Sequence, residues 1–592
     1  MPSVPEGSGS EAGSATVGGA AAPGATLRHG TPEQAGLIGA QLDRLVAAAE
    51  SYLSPMTAET PSPSETHSTP AISPPRHPWY AGAVLLAGRG DTVALHRAIG
   101  TAVRYAAYDE EHDQGVELPA DQWIPMTPDT VFDLASLSKL FTSVLAVQQL
   151  ERGALDLGER VASYLPEFGE AGKQDITVRQ LLTHTAGFRA WLPLYEEPTR
   201  EARLRRLWQE APAYPPGTKY LYSDLTMIAL HLLLEKVTGR GLEALLRDEI
   251  TAPLGMRRTR FNPPPSWKPS VAATEDARPP WSGLDRGLVW GEVHDENAWA
   301  LGGVAGHAGV FSRAWDLAVL ARTLLNGGVH GRARILDRES VELMFTDFNT
   351  RFPGDAHGLG IELYQHWYMG AMATPRSAGH TGFTGTSLVL DPTTDTFLVM
   401  LGNSVHPVRT WRSGSAPRLA AANHLARAVA VPPSCGRTAW FSGMSPATTA
   451  TLTLPRLSPA GAGPTHLGCA LWWDTEPASG KVFLEASADE GATWRPLPFT
   501  TVCEGQPPLA HPGGWVAGWS GRVWHRVDCE LPSWRGGSLT VRWRSTTGGP
   551  CVGRGVYVTA MRVTDGRRTL FDESRPSDAA CVSASGWTAE TG

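Results

Sequence analysis

The chain has 592 residues, of which 42% are hydrophobic and 19% are charged, and its formal net charge is -8. This length exceeds what one hydrophobic core normally supports, so we expect at least two domains. The acidic balance argues against nucleic-acid binding, and no apolar run approaches the roughly 20 residues that cross a bilayer. We therefore expect a globular protein that binds no nucleic acid and has no membrane span.

The N-terminal residues 1–26 are rich in Gly, Ala, Ser and Pro and have neither a basic start nor a hydrophobic stretch. This composition is typical of a disordered lead and not of a secretory signal. As written, the sequence predicts a cytoplasmic protein, and secretion would require a start codon further upstream.

Residues 27–430 predict one α+β domain, because helical and strand patterns alternate within it. Thr31 and Gln34 form a capping-box pattern at the start of a first helix over residues 31–53. A tract rich in Pro, Ser and Thr at 54–78 can bury little and predicts a flexible loop. The other predicted elements are a strand pair at 82–100, helices near 136–152, 177–185, 224–239 and 313–326, and two strands within 385–403.

Residues 431–592 change to short strand-like runs separated by Gly and Pro turns, which is typical of an antiparallel β-sandwich. Ten of the chain's 21 tryptophans lie here, so their role bears on what the module does. Most are expected in the core or rim of a small sandwich, and the alternative is a surface for a glycan or protein ligand. The predicted strands lie within 466–475, 481–488, 538–546 and 555–563.

All six cysteines fall in this C-terminal segment. Their even number leaves disulfides open, although reduced and partly buried thiols are the commoner state in a cytosolic protein. No C-x-x-C, H-x-H or H-E-x-x-H spacing occurs, so we expect neither a metal nor another cofactor.

The stretch FDLASLSKLFTSVLAV, residues 132–147, places a lysine in a helix whose apolar residues face nearly every direction. Such a helix is enclosed by protein, so a charged side chain at Lys139 needs an explanation. Ser136 lies three residues earlier on the same face, so hydroxyl and amine point to one spot. The alternative is a lysine whose stem packs in the core while its amine reaches solvent.

Two further stretches favour a catalytic role. YSD, ending at Asp224, comes just before an amphipathic helix, and HTG, beginning at His380, comes just before an alternating strand. In this order and with these separations, SLSK, YSD and HTG resemble the motifs of the serine β-lactamase and penicillin-binding protein superfamily, specifically its class C β-lactamase-like branch.

The resemblance covers about residues 27–430 and includes LLTHTAGF, PPGTKYLYSD, VHDENAWALGGVAGHAGVFS and GHTGFTGTSLVLDP. It implies a β-lactamase/transpeptidase-like domain, in which helices flank an antiparallel sheet beside an all-helical subdomain. The last two segments also resemble a bacterial subgroup that includes exported serine hydrolases and an amidase that removes peptides from N-acetylmuramic acid.

By this resemblance, Ser136 attacks an acyl carbon and forms an acyl-enzyme. The backbone N–H groups of Ser136 and Phe383 would form the oxyanion hole. Lys139 would lie beside Tyr222 and help to take the serine proton. The other residues expected to contact substrate or support the cleft are Asp224, His380, Thr381, Gly382 and His307.

The base is either Lys139 or Tyr222. To act as a base, Lys139 needs a pKa of roughly 7 in place of its usual value of about 10.4, which burial in the helix could supply. Where the broader family usually has an asparagine, this chain has Asp224, and a carboxylate close to Lys139 would hold the lysine as a cation. That cation would lower the pKa of Tyr222 and make the tyrosine the better base.

The third motif begins with His380 and not with the lysine of β-lactamases, which removes a charge that grips a drug carboxylate. Esters, amides and muropeptide stems remain open, as do acyl transfer or peptidase chemistry in a biosynthetic pathway. A silent hydrolase fold that binds a glycan or protein is a further alternative. His307, in GHAG, is a competing candidate for the third motif, and it is assigned to cleft support because it precedes an expected helix start at Ser312 and not a strand.

Overall fold

The computed structural model describes residues 25–55, 77–411, 414–459, 464–531 and 538–591. The expected disordered lead and the expected flexible loop lie, apart from a few flanking positions, outside the described residues. The chain forms two compact units. The N-terminal unit extends to Ala430 and also includes Gly548–Arg554, and the C-terminal unit comprises Val431–Thr547 and the chain from Gly555 onward.

An eight-stranded sheet lies at the centre of the N-terminal unit. Its pairings are antiparallel except at one edge, where the first strand runs parallel to its neighbour. In sheet order the strands are Arg28–His29, Thr92–Val103, Gly82–Arg89, Thr396–Gly402, Thr386–Asp391, Ala378–Thr381 and Glu362–Leu363, with Ile124–Pro125 beside Thr92–Val103. The predicted strand pairs at 82–100 and 385–403 are confirmed.

Smaller sheets complete the strands of this unit. One has three strands, Phe132–Asp133, Val310–Ser312 and Arg260–Phe261, and it runs directly into the segment that carries Ser136. The two-stranded sheets are Tyr105–Asp109 with Gln114–Glu117, Asp276–Ala277 with Gly287–Leu288, and Val329–His330 with Ala333–Arg334.

Helices cover the central sheet. One sheet face joins the main core together with helices Ser138–Glu151, Asp224–Thr238 and Ala314–Leu325, while Gly39–Ser51 and Ala416–Ala428 pack against each other and against the sheet. The other α-helices are Val161–Tyr164, Val178–Leu182, Arg200–Gln209, Leu242–Leu246, Ala252–Leu254, Glu296–Ala300, Arg338–Met344 and His366–Met369. Within the described residues, no helix is both long and apolar enough to cross a membrane.

The four predicted inner helices are confirmed with slightly different bounds. The helix that contains Lys139 is enclosed on all sides as expected, since nearly every residue from Ser138 to Gln149 is buried. Thr177 and Gln180 close a capping box at the start of the helix Val178–Leu182, and Gly239 ends the helix Asp224–Thr238 in a left-handed conformation.

The expected start of the first helix is wrong. Thr31 and Gln34 do exchange the two hydrogen bonds of a capping box, at 2.9 and 3.3 Å, but these bonds close a separate turn. Gly36, at φ +63°, ends that turn, and the helix begins at Gly39. The element after His307 also differs, because the strand Val310–Ser312 precedes the helix that starts at Ala314.

The C-terminal unit is an antiparallel β-sandwich, as predicted. Side chains from both sheets meet in one core, which includes Trp473, Trp543 and Trp587. The first sheet contains Leu509–His511, Phe499–Val502, His525–Leu531, Thr465–Asp474, Gly555–Asp565, Ala439–Phe441 and Thr588–Glu590, with Arg568–Asp572 beside Gly555–Asp565. The second contains Arg495–Pro496, Lys481–Ser487, Thr540–Thr546, Thr449–Thr453 and Ser583–Ser585, with Trp515–Ala517 beside Lys481–Ser487. The short helix Pro576–Ala579 completes the unit, and all six cysteines are free thiols.

A chain that ends at residue 430 tests whether the N-terminal unit folds alone. This truncation removes Arg554, whose guanidinium donates to the carbonyl oxygens of Ala426 (2.9 Å) and Val429 (3.1 Å). We expect a folded protein that keeps its reactivity with a fluorophosphonate probe but is less stable by about 1.5–3 kcal/mol, the usual loss for hydrogen bonds to a charged group. The matched control is Arg554→Ala in the full chain. A soluble, monodisperse truncated protein that no longer reacts with the probe would contradict this independence.

Candidate active site

Ser136 lies in a short 3-10 turn, Ala135–Leu137, that leads directly into the helix Ser138–Glu151. Ala135 is held at φ +47°, a conformation that costs free energy for a residue with a side chain. The Asp133 carboxylate maintains this bend by accepting the N–H of Ala135 at 2.9 Å and the N–H of His294 at 2.6 Å. Ser136 is half-buried while both of its neighbours are buried, so the bend presents its hydroxyl at an opening in the core.

The Lys139 ammonium group is buried at the same place, and 1% of its side chain is exposed. It donates to Ser136 Oγ at 2.8 Å and to the His307 carbonyl oxygen at 3.2 Å, and it lies 2.7 Å from Asp224 Oδ1. These acceptors come from three separate parts of the chain. The amine therefore does not reach solvent, and the alternative of a lysine that extends its amine to the surface is wrong.

Tyr222 completes this group. Its ring centre lies 4.8 Å from Lys139 Nζ, and its hydroxyl lies beside Ser136. Burial and the nearby Asp224 carboxylate raise the pKa of Tyr222 well above its ordinary value. The expectation that the lysine cation lowers this pKa is therefore wrong, and Tyr222 is a neutral phenol in the free protein.

His380 lies in the strand Ala378–Thr381, where its Nδ1 is 2.8 Å from the carbonyl oxygen of Thr381. Its ring centre is 5.8 Å from that of Tyr222. Burial lowers the pKa of His380 to about 3, so the imidazole is neutral at physiological pH. The third motif thus supplies no positive charge, in agreement with the sequence argument against a β-lactam carboxylate.

The turn after His380 is fixed against the serine segment. The Thr384 and Thr386 hydroxyls donate to the carbonyl oxygens of Asp133 and Leu134, at 2.8 and 2.9 Å. A Cβ on Gly382 would collide with the Thr386 hydroxyl and with the Leu134 carbonyl oxygen, so only glycine fits this approach. Phe383 therefore lies next to the Ser136 segment, and its predicted role in the oxyanion hole stays a prediction, as does the contact of Thr381 with substrate.

Asp295 is a site residue that the sequence analysis did not single out, although it lies in the quoted segment VHDENAWALGGVAGHAGVFS. It caps the helix Glu296–Ala300 through the Ala298 N–H at 2.7 Å, and its Oδ1 lies 2.9 Å from His307 Nε2. Burial alone would raise the pKa of Asp295, but the His307 ring outweighs it and the net shift is downward. His307 is thereby fixed so that its carbonyl faces Lys139, and its role in supporting the cleft stays a prediction.

Asp224, Asp295 and His307 also form a group that could hold a metal ion, since their ligand atoms lie within 4.8 Å of one another. The Lys139 ammonium already contacts Asp224 and supplies the positive charge that a metal would bring. The negative charge of Asp224 is therefore balanced by Lys139 of the chain itself. The absence of a metal remains a prediction.

Arg409, Glu275, Glu296 and His294 form a further polar network. No local sequence pattern predicts it, because its members are far apart in the chain. Arg409 contacts Glu275 and Glu296, each at 2.6 Å, and His294 lies 2.8 Å from Glu275. Burial opposes ionisation of Glu275, but the His294 and Arg409 hydrogen bonds lower its pKa to about 2. The network fixes His294, whose N–H binds Asp133 and whose ring stacks on Phe383 at 5.7 Å.

Residues 73–423 match the protein-family model described as Beta-lactamase. The chain belongs to this family. A protein of Escherichia coli (strain K12) named "Putative D-alanyl-D-alanine carboxypeptidase" is 34% identical over 357 residues, which cover 55% of this chain and 79% of that protein. A protein of the same name from Salmonella typhi is 33% identical over the same coverage. The protein is accordingly a serine hydrolase of the β-lactamase fold.

Solved structures similar to this chain include a β-lactamase/D-alanine carboxypeptidase from Pseudomonas syringae, with 19% identity, a TM-score of 0.48, and coverage of 66% of this chain and 99% of that one. EstCE1, described as a hydrolase with promiscuous acyltransferase activity, has 23% identity and a TM-score of 0.46, and the match covers 64% of this chain and 98% of that one. A family VIII carboxylesterase has 21% identity and a TM-score of 0.45, and the match covers 59% of this chain and 93% of that one.

Gly382→Ala tests the fixed approach of the third motif to the serine segment. The added methyl group must displace the Thr386 hydroxyl and the Leu134 carbonyl, which lies two residues before Ser136, so we expect a loss of about 1–3 kcal/mol in the free energy of unfolding. Because the displaced backbone carries the serine, we also expect the rate of fluorophosphonate labelling to fall by about tenfold or more. The control is Gly241→Ala, where φ is -66° and the nearest atom to an added Cβ is 3.7 Å away. If Gly382→Ala is labelled at the control rate, the close packing of Gly382 against the serine segment does not position Ser136.

Proposed function

We propose that the protein hydrolyses an ester or amide through an acyl-enzyme on Ser136. The observation that supports this proposal is the contact of a half-buried serine hydroxyl with a buried ammonium, at 2.8 Å, beside a neutral phenol. Ser136 Oγ attacks the carbonyl carbon, the bond from that carbon to the leaving group breaks, and the leaving group takes up a proton. Water then attacks the ester and releases the acid.

The proton of Ser136 has a path through Lys139. The lysine nitrogen joins Ser136 Oγ to Asp224 Oδ1 in one chain of hydrogen bonds. When Lys139 passes a proton to Asp224, its amine becomes free to accept the proton of the serine. Tyr222 keeps its phenol proton in the free enzyme, so it is the group suited to protonate the leaving group. This assigns the base to the Lys139–Asp224 pair and the acid to Tyr222.

The charges around Ser136 favour a substrate with no carboxylate close to the scissile bond. His380 is neutral, and the Lys139 ammonium is balanced by Asp224. The side chains of Asp224 and Asp295 are 20% and 22% exposed, so both carboxylates border the open side of the site. A neutral ester, or an internal amide of a peptide derived from the cell wall, meets less repulsion here than a carboxylate-bearing drug. The name carried by the curated relatives directs the peptide tests to stems that contain D-alanine.

Ser136→Ala should abolish covalent labelling and lower ester turnover by several orders of magnitude, because no other group in the motif can form the acyl-enzyme. Lys139→Ala should be nearly as damaging, and Tyr222→Phe should lower turnover by about 10²–10⁴. Labelling rates, p-nitrophenyl ester turnover and mass spectrometry of the labelled peptide provide the measurements.

The matched control for these variants is Ser138→Ala. The Ser138 hydroxyl is buried and accepts the N–H of Val310 at 3.0 Å, so its removal should lower stability while labelling continues. Loss of labelling in a folded Ser138→Ala protein, together with labelling of Ser136→Ala, would refute the assignment of the nucleophile.

The carboxylates at the open side of the site should make kcat/KM differ between two esters of similar size. We expect kcat/KM for p-nitrophenyl butyrate to exceed that for mono-p-nitrophenyl succinate by about tenfold, because only the latter brings a carboxylate towards Asp224 and Asp295. The ratio should shrink at high salt as the repulsion is screened. Equal turnover of both esters at low salt would show that the carboxylates do not select substrate.

A further inference from the structure

Glu362 is a buried carboxyl group that the proposed chemistry does not use. It lies on the edge strand Glu362–Leu363 opposite Gly379, the neighbour of His380. Its backbone also pairs with that of His357. A Cβ on Gly379 would lie 3.0 Å from the Tyr368 hydroxyl, so that hydroxyl packs closely against the strand of the third motif.

Two buried imidazole nitrogens in this region have no hydrogen-bond partner among the described residues. They are His357 Nε2 and His380 Nε2, whereas the Glu362 carboxyl and the Tyr368 hydroxyl interact with each other. Such atoms cost free energy wherever they occur, and most folds pair them. One of these nitrogens belongs to the third-motif histidine and the other to the residue whose backbone pairs with Glu362, so the surroundings of Glu362 border the site.

Glu362 interacts with charged and titratable groups from each element around it. These groups are Lys139 on the serine helix, Tyr220 and Tyr222 before the helix Asp224–Thr238, Tyr368 on the helix His366–Met369, and Arg418 on the helix Ala416–Ala428. A carboxylate at Glu362 raises the pKa of Tyr222 further, and it attracts the Lys139 ammonium. The carboxyl group therefore acts on both proton-transferring residues from behind.

The imidazoles of this region do not change charge near neutral pH. Burial lowers the pKa of His357 to about 4, that of His380 to about 3, and that of His184 well below its ordinary value. Burial has the opposite effect on Glu362 and raises its pKa to about 7, although Tyr368, Lys139 and Arg418 oppose the shift. Within this cluster of described residues, Glu362 is thus the group that gains or loses a charge between pH 6 and 8.

We propose that Glu362 is a positioning residue that controls acylation through Lys139 and Tyr222, which its protonated form permits and its carboxylate suppresses. The physical reason is that a negative charge behind these residues binds their protons more tightly. Lys139 then passes its proton to Asp224 less readily, so the free amine that accepts the serine proton forms less often, and Tyr222 donates less readily to the leaving group. This inference rests on the proposed function, because it requires Ser136, Lys139 and Tyr222 to act together.

Glu362→Gln fixes the uncharged form with little change in shape. We expect the ratio of its fluorophosphonate labelling rate to that of the unchanged protein to be near one at pH 6. Because only the unchanged protein gains the charge, the ratio should rise along a single titration near pH 7 and reach about tenfold at pH 9. Taking the ratio cancels the pH dependence of the probe. Glu339→Gln, at an exposed position, is the control and should give a ratio near one throughout. A flat ratio for a folded Glu362→Gln protein would overturn the proposal.

Tyr368→Phe supplies an independent test with a stated direction. The Tyr368 hydroxyl lowers the pKa of Glu362, so its removal should move the inflection in the labelling rate to higher pH. An unchanged inflection would overturn the proposal even if Glu362→Gln fails to fold.

Stability gives a readout that does not depend on labelling. A carboxyl group whose pKa rises from about 4.3 in the unfolded chain to about 7 in the folded one destabilises the fold as pH increases through that range. The Tm of Glu362→Gln minus that of the unchanged protein should therefore be greater at pH 8 than at pH 5. A difference that does not vary with pH would show that Glu362 does not titrate in this range.

The two proposals fail in different ways. Labelling that persists in Ser136→Ala would refute the acyl-enzyme on Ser136. Labelling confined to Ser136 together with a flat Glu362→Gln ratio would refute only the role of Glu362.

Discussion

The burial of one ammonium group, that of Lys139, constrains the rest of the site. Removing a charge from water costs several kcal/mol unless acceptors surround it, so the fold must bring oxygen atoms to this point. Ser136 supplies a hydroxyl from the preceding turn, Asp224 a carboxylate from the start of the helix Asp224–Thr238, and His307 a backbone carbonyl. The contact of His307 Nε2 with the Asp295 carboxylate follows from the same requirement, because it holds that carbonyl in place.

The pairing of Lys139 with Asp224 also affects the net charge of the cleft. Asp224 balances Lys139, and burial keeps His380 neutral, so the carboxylates at the open side are not offset by a cation of the third motif. This arrangement differs from one built to bind an anionic substrate, and it is the basis for the preference proposed for neutral esters and amides. The Arg409–Glu275 network contacts His294, whose backbone N–H binds Asp133 beside the turn that carries Ser136.

Several aromatic residues of the C-terminal sandwich are packed within the unit itself. Trp473, Trp543 and Trp587 are in its core. On the second sheet, Arg542 lies over Trp494 at 3.8 Å and Arg544 over Phe483 at 4.2 Å, and both guanidinium groups bind Glu485. These contacts pair the arginines within the sheet itself, so this combination of tryptophan and arginine is explained by cation–π and ion-pair packing. Whether the module binds a glycan or a protein is a separate property that its fold class does not decide.

The sequence by itself determined the α+β and β-sandwich classes, the inner helices and the meeting of Ser136 with Lys139. It could do so because apolar periodicity, turn residues and an i, i+3 spacing are local features. The predicted start of the first helix was wrong, because Thr31 and Gln34 show the same local sequence pattern whether they start a helix or close a turn. The tertiary structure alone decided which groups Asp133, Asp295, Glu275, Arg409 and Glu362 contact, because their partners are brought together by long-range packing. It also decided the charge states of Tyr222 and His380, because burial depends on every element around a side chain and not on its neighbours in sequence.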